Sequence, residues 1–341
     1  MKPHSVKQHL LSGGSFLNLL VLLVNNRFQV SLKYSHRLLY VSFTSLLLYP
    51  IHLVELLLYS SKIKKTKLPV DPIFIIGHCR SGTTYLHNLL CQDKQFAFPS
   101  TYQCFLPGVF LTGKNFMKKI NGKTLPKTRP MDNVEMNPDF PQEEEFGMLS
   151  LTPFSYYQTL FFPSSMMYFF KYYALMETPK IKTWENQYKQ FIRKVMYNQQ
   201  AKQLILKNPV NTVRIQHLIK MFPQAKFVYI HRVKEEVLRS TNKLYTDLLR
   251  INSFQSISTS ELQKNIGHIY DETITQYMKQ KQLIPSGQLI ELSYHEFITD
   301  PFSQTKKIYD KLSLYGHEKA SVYFQHYISE QRKYAPNTYN T

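Results

Sequence analysis

Cysteine is scarce: the 341 residues hold three, Cys79, Cys91 and Cys104. Their number is odd and their spacing matches no metal-ligand pattern, so neither a disulfide framework nor a zinc site is expected, and a reducing compartment suits them. Acidic residues are also few. The 23 Asp and Glu stand against 42 Lys and Arg, and the resulting charge of +19 points to anionic partners without choosing among nucleic acid, a membrane surface and a phosphorylated cofactor. No internal repeat or low-complexity tract is present, and a hydrophobic content of 43% can fill a substantial core in one large domain or two small ones. A basic segment, an apolar core and a small-residue cleavage site do not follow one another near the start, so no cleaved signal peptide is expected.

What is there centres on residues 72–90. Ile73 to Ile76 is a short apolar, β-branched run, as a buried parallel strand requires. Gly77 to Thr84 is a turn of small residues, and Tyr85, Leu86, Leu89 and Leu90 carry a helical pattern onward. A helix start exposes N–H groups and the positive end of a dipole, so a strand, a glycine-bearing turn and a helix make an anion site. Gly77 and Gly82 have the spacing of GxxxxGK[ST], yet Thr83 stands where that motif needs lysine. This weakens the triphosphate reading and with it a small-molecule kinase. Arg80 supplies a cation from inside the turn instead, which suits a 5′-phosphate that carries something other than a phosphate chain.

Residues 73–90 resemble the 5′-phosphosulfate loop of sulfotransferases that use 3′-phosphoadenosine 5′-phosphosulfate, in particular the bacterial-type branch with a GHxRSGTTxLHNLL loop. The resemblance implies an α/β fold of the P-loop-like three-layer type, a central parallel sheet between helices, preceded here by an N-terminal helical extension. It makes Arg80, Ser81, Gly82, Thr83 and Thr84 the holders of the 5′-phosphosulfate. It also extends further along the chain. Arg232 and Ser240 stand at the spacing of the family's 3′-phosphate motif RDPxxxxxS, although Val233 and Lys234 replace Asp-Pro. A guanidinium and a hydroxyl are suitable partners for a phosphate. Tyr294 to Pro301 is similar to a late family segment, so the likeness covers about residues 70–315.

Two further positions take chemical roles from the resemblance. Pro141 with Glu143, Glu144 and Glu145 reads by itself as helix-start electrostatics. The family has a PQEDE-type segment there, which implies a catalytic carboxylate, Glu143 first and Glu145 second. Lys207 follows a predicted strand, at the ligand-facing end of an open α/β sheet, and is expected to neutralise the leaving phosphate. Some branches use histidine as base, so His78, His87, His217 and His231 stay open. No metal is expected.

The remaining segments divide as follows. Leu38 to Tyr59 is apolar enough to cross a bilayer, but Pro50, His52 and Glu55 occupy its second half, and Lys62, Lys64, Lys65 and Lys67 follow. It reads as an interfacial helix, a helix docked on the protein's own core or a true span. Residues 113–133 have the composition of a basic surface loop or a lid. The aromatic block 150–199 serves either a core or an acceptor pocket. From 203, strands at Gln203–Leu206, Lys226–Ile230 and Gln288–Leu292 alternate with helices, the last at Glu318–Arg332.

The expectation is therefore a helical segment 1–69, with possible membrane-surface contact through 38–67, and a sulfotransferase domain 70–341. The enzyme would sit in the cytoplasm or on the cytoplasmic face of a membrane. It would move a sulfuryl group to a hydroxyl or amine of an acceptor that the sequence leaves open among a glycan, a lipid head group and a small alcohol, with no nucleic-acid partner. A non-enzymatic basic membrane protein is the other alternative.

Overall fold

The computed structural model describes residues 6–129, 134–200 and 203–331. Within them the chain forms two compact units, one from the described residues of 6–68, 99–198 and 242–269 and one from those of 69–98, 199–241 and 270–331.

The second unit is built on five parallel strands: β1 (Ile73–Ile76), β2 (Phe96–Ala97), β3 (Gln203–Lys207), β4 (Lys226–His231) and β5 (Leu289–Ser293), in the order β2-β3-β1-β4-β5. All four residues of β1 are buried, because it is central and covered on both faces. Side chains alternate between those faces. Ile73 and Ile75 join Leu86, Leu89, Ile205, Val228 and Phe324 under the helices Thr83–Leu90, Pro301–Lys311 and His317–Gln331. Phe74 points the other way, with its ring 5.6 Å from that of Phe227 and 6.0 Å from that of Phe222. This gives the three-layer α/β fold expected from the residue pattern. Burying one such side chain contributes about 1.5–3 kcal/mol. The last helix is described to Gln331, and the Arg332 named above lies outside the described residues.

In β1 the chain enters the middle of the sheet, then builds outward through β3 and β2 on one side and β4 and β5 on the other. Register pairs Ile75 with Lys207 and Ile76 with Tyr229, so the carboxyl ends of β1, β3 and β4 lie side by side. In open α/β sheets a ligand belongs at such a reversal of strand order.

The first unit is helical. Phe16–Asn25 and Ser35–Lys65 are its first two long elements, and the Phe16 and Tyr49 rings meet in a T-shaped pair with centres 6.4 Å apart. Glu55 is buried on the inner side of the long helix. It pairs with Lys194 and accepts the backbone N–H groups of Leu111 and Thr112 at 2.7 Å each. The basic stretch read as a loop or lid from residue 113 is instead helical over Phe110–Thr124, with a non-helical break at Lys114. Phe110, Leu111, Met117 and Asn121 turn inward at helical spacing, and that stripe outweighs the lysines on the other side. Residues 130–133 of that stretch lie outside the described residues. Ile181–Gln199 buries Trp184 against Tyr188, with ring centres 5.0 Å apart.

His9 makes this unit sensitive to acid. Its ring stacks on those of both Phe161 and Phe254, its Nδ1 accepts from the Leu11 N–H, and its Nε2 meets the Asn252 carbonyl at 2.9 Å. These partners select the neutral tautomer with hydrogen on Nε2. Burial first, opposed by the Asn252 hydrogen bond and assisted by the Arg37 charge, lowers its pKa to about 3. The unfolded chain binds the proton below about pH 6.5 and the folded chain does not, so stability present above that pH is lost as the pH falls, by about 1.4 kcal/mol per unit from this residue. Urea unfolding at neutral and mildly acidic pH should show that slope reduced in His9→Gln. An unchanged slope would remove His9 from the acid response.

Candidate active site

In the sheet unit the turn after β1 is fixed by close packing. Gly77 has φ +139°, and a Cβ there would stand 2.3 Å from the Ile230 carbonyl oxygen, so β4 leaves room for glycine only. Its N–H donates to Thr212 Oγ1 at 2.8 Å. Arg80 adopts φ +72° without being glycine, and Gly82, at φ +94°, is the residue just before the helix Thr83–Leu90. The ring of Tyr294 closes over Gly82, where an added Cβ would come within 2.4 Å.

This backbone brings several of the expected ligands together. Arg80 Nε donates to Ser240 Oγ at 2.8 Å, joining the turn to the helix Lys234–Asn252 across 160 positions of sequence. Lys207, only 1% exposed at the end of β3, reaches Thr84 Oγ1 at 3.4 Å. Ser81 and Thr83 are buried within the turn and helix start. A buried ammonium, a guanidinium, several hydroxyls and a helix N-terminus form a donor set suited to an anion with more than one charged oxygen group.

Arg232 follows β4 and is engaged differently. Its Nε donates to Glu236 Oε2 at 2.5 Å, and its guanidinium stands 4.3 Å from the centre of the Tyr294 ring. The Arg232 hydrogen bond is the main reason the Glu236 carboxyl lies below its ordinary range. Arg232, Glu236 and Ser240 are spaced four apart, so a carboxylate sits between the two expected 3′-phosphate ligands. The Arg-to-Ser spacing gave no sign of it.

The histidines are also distinguished. His87 is fully buried, and burial, then the charge of Lys207, hold its pKa well below the ordinary value. His78 packs 5.0 Å from Tyr270, with Nδ1 2.8 Å from the Cys79 carbonyl oxygen and 3.5 Å from its thiol. Burial opposes charge on both groups, but the mutual attraction of His78 and Cys79 prevails, raising the histidine and lowering the thiol. His231 is exposed and His217 half-buried.

Glu143 and Glu145 belong to the helical unit. Glu143 precedes the helix Glu144–Leu151, remains partly exposed and accepts a short hydrogen bond from the Tyr157 hydroxyl. Glu145 is sealed from solvent and accepts from Ser155 Oγ at 2.8 Å. Glu144 is sealed as well, with the Tyr188 hydroxyl 2.9 Å from its Oε1. Among the described residues no group of three or more His, Cys, Asp or Glu is placed to hold a metal ion.

Comparison with known proteins agrees with the sheet unit. The sequence model of the Sulfotransferase family matches residues 72–318. Two relatives named omega-hydroxy-beta-dihydromenaquinone-9 sulfotransferase Stf3, from Mycobacterium bovis and Mycobacterium tuberculosis, are 30% identical to this chain over 329 residues. The matched part is 96% of this chain and 84% of each relative. Among solved structures, sulfotransferase STF1 of M. tuberculosis superposes with a TM-score of 0.68 at 17% identity, over 91% of this chain and 86% of its own. Sulfotransferase STF9 of Mycobacterium avium gives 0.64 at 17%, over 82% and 72%. At that identity the two structures speak for the fold. The family match extends over most of the chain, from the residue before β1 to the start of the last helix, and leaves no place for the kinase or the non-enzymatic reading: the chain belongs to the sulfotransferase family and is a sulfotransferase.

Proposed function

We propose that the enzyme takes its sulfuryl group from 3′-phosphoadenosine 5′-phosphosulfate and passes it to a hydroxyl, or an amine, of a lipid-like acceptor. The observation that carries the donor reading is the Arg80–Ser240 hydrogen bond, which brings a residue of the 5′-phosphosulfate turn against a residue of the 3′-phosphate motif. A donor with phosphates at both ends of its ribose suits that pairing, and an ordinary adenine nucleotide uses only half of it. The lipid acceptor is suggested by the hydroxylated menaquinone in the names of the 30% identical relatives.

In this reading Arg80, Ser81, Gly82, Thr83 and Thr84 hold the 5′-phosphosulfate, and Arg232 and Ser240 hold the 3′-phosphate. The donor supplies an activated sulfuryl group, and no metal is needed. Glu143 is the preferred base, because it is partly exposed where Glu145 is sealed from solvent. It takes the proton as the acceptor oxygen bonds to sulfur, a role worth roughly 10²–10⁴ in rate. The bond between sulfur and the bridging oxygen breaks, and Lys207 meets the charge left on the departing bisphosphate. Residues 70–341 carry the transferase, and 1–69 serve contact with the cytoplasmic face of a membrane.

Calorimetric titration with 3′-phosphoadenosine 5′-phosphate, with AMP as control, tests the donor. Tight binding of the bisphosphate, weak binding of AMP and a loss of roughly ten- to a hundredfold in each of Arg80→Ala and Arg232→Ala are expected, since each removes charge-assisted hydrogen bonds. Folded protein that ignores the bisphosphate would sink the reading. Glu236→Gln should move the other way. It removes a carboxylate lying between the two ligands and releases Arg232, so bisphosphate binding should tighten roughly fivefold at low salt. A weaker complex would show that Glu236 is needed to orient the guanidinium.

A further inference from the structure

The helix Ser35–Lys65 is long and apolar enough to cross a bilayer, yet only 17% of its most apolar window is buried. Its two faces are reversed relative to an ordinary surface helix. Leu39, Phe43, Leu46, Leu53 and Leu57 recur at spacings of three, four and seven and stand in solvent, Phe43 65% and Leu57 84% exposed. The stripe facing the protein carries Val41, Ser45 and Glu55, all buried. Leu17, Leu20 and Val24 form a second exposed stripe on the neighbouring helix Phe16–Asn25. A contiguous apolar face of this extent marks an interaction site.

We infer that this face lies in the plane of a membrane, embedded in one leaflet rich in anionic lipid. Two observations choose the occupant. The apolar stripe runs about 27 Å from Leu39 to Leu57 at the helical rise, and exposed lysines stand beyond both ends, Lys33 before it and Lys62, Lys64, Lys65 and Lys67 after it. Apolar contact flanked by cations fits acyl chains beneath anionic headgroups.

The helix lies on the membrane without crossing it, because its inner side is tied to its own unit along its length. Arg37 donates to the carbonyls of Arg250 and Ser253, His52 Nδ1 meets the Gly108 carbonyl at 3.0 Å, and Glu55 is paired with Lys194. A spanning helix would carry that carboxylate into hydrocarbon and leave Lys194 unpaired.

This deepens the membrane-surface part of the proposed function and is independent of the donor. Purified full-length protein is floated with vesicles of phosphatidylcholine alone, and with vesicles containing one third phosphatidylglycerol. Wild type should float with the anionic vesicles, less with the neutral ones. The triple variant Leu39→Gln, Phe43→Gln, Leu57→Gln and the charge variant Lys62→Glu, Lys64→Glu, Lys65→Glu should each lose roughly tenfold or more in partitioning. Bisphosphate binding, measured in parallel, should stay unchanged in both, so a failed donor reading and a failed membrane reading remain distinguishable. Folded wild type that stays off both vesicle types, or a lipid-free dimer that buries this face and does not float, would overturn the inference. A Leu57→Cys variant whose thiol reacts with an impermeant reagent from inside sealed vesicles would overturn the in-plane geometry.

Discussion

Lys207→Met is expected to lower kcat by roughly 10²–10³, the range seen when a single fixed electrostatic partner of a developing charge is removed. The basis is location. Lys207 closes β3 in register with Ile75 of β1, is buried to 1% exposure and lies 3.4 Å from Thr84 Oγ1 beside the helix start. A cation so enclosed has little freedom, and water cannot replace it when it is removed. The proposed role concerns charge that appears as the bridging bond breaks, so kcat should fall much further than the KM for the donor rises. Initial rates with varied donor, together with thermal unfolding, separate this from a packing defect. If kcat survives, or if KM carries the whole effect, Lys207 binds the donor without stabilising the leaving group.

Separating Glu55 from Lys194 should cost about 3–5 kcal/mol in the single variants Glu55→Gln and Lys194→Met, because each leaves the other charge buried without its counterion. The pair belongs to the helical unit and is almost wholly enclosed. Lys194 also donates to the Pro107 carbonyl and lies 4.3 Å from the Phe110 ring centre. Burial lowers the Lys194 pKa, against the opposing pull of Glu55. The carboxylate does a second task. No side chain at Val109 caps the helix Phe110–Thr124, and Glu55 supplies the missing acceptor from a distant part of the chain. The double variant should therefore recover much of the loss, with a coupling of at least about 2 kcal/mol in urea unfolding. Additive effects within about 0.5 kcal/mol would show that the two residues act separately.

The sheet was legible because its signals are local. Ile73 to Ile76 can hardly be anything but a covered strand, and Gly77 and Gly82 announce a turn before any partner is known. The alternation after residue 203 gives the remaining long strands for the same reason. Lys114, Lys118, Lys119 and Lys123 give the segment the charge density of a loop, yet the apolar spacing of Phe110, Leu111 and Met117 makes it a helix. Glu55 was legible only as a problem: its cost in hydrocarbon follows from its type, but Lys194 lies 139 positions away. The site divides in the same manner. Residue types at Arg80, Arg232 and Ser240 stand out, whereas the Arg80–Ser240 contact and the closure of Tyr294 over Gly82 arise from folding. Glu236 gives no signal of its own although its spacing from Arg232 is local, because an acidic residue in the first turn of a helix is ordinary helix-start electrostatics.

The strand order has a consequence for synthesis. β1 is the first strand made and ends in the middle of the sheet, but its neighbour β3 begins about 130 residues later. At roughly 5–20 residues per second, a ribosome needs on the order of 6–26 s to deliver that neighbour. Throughout that interval Ile73 to Ile76, with the edges of a central strand and no partner, is the segment most in need of shielding. Factors that bind extended apolar chain therefore have their natural moment of action between the synthesis of the phosphate turn and that of Lys207.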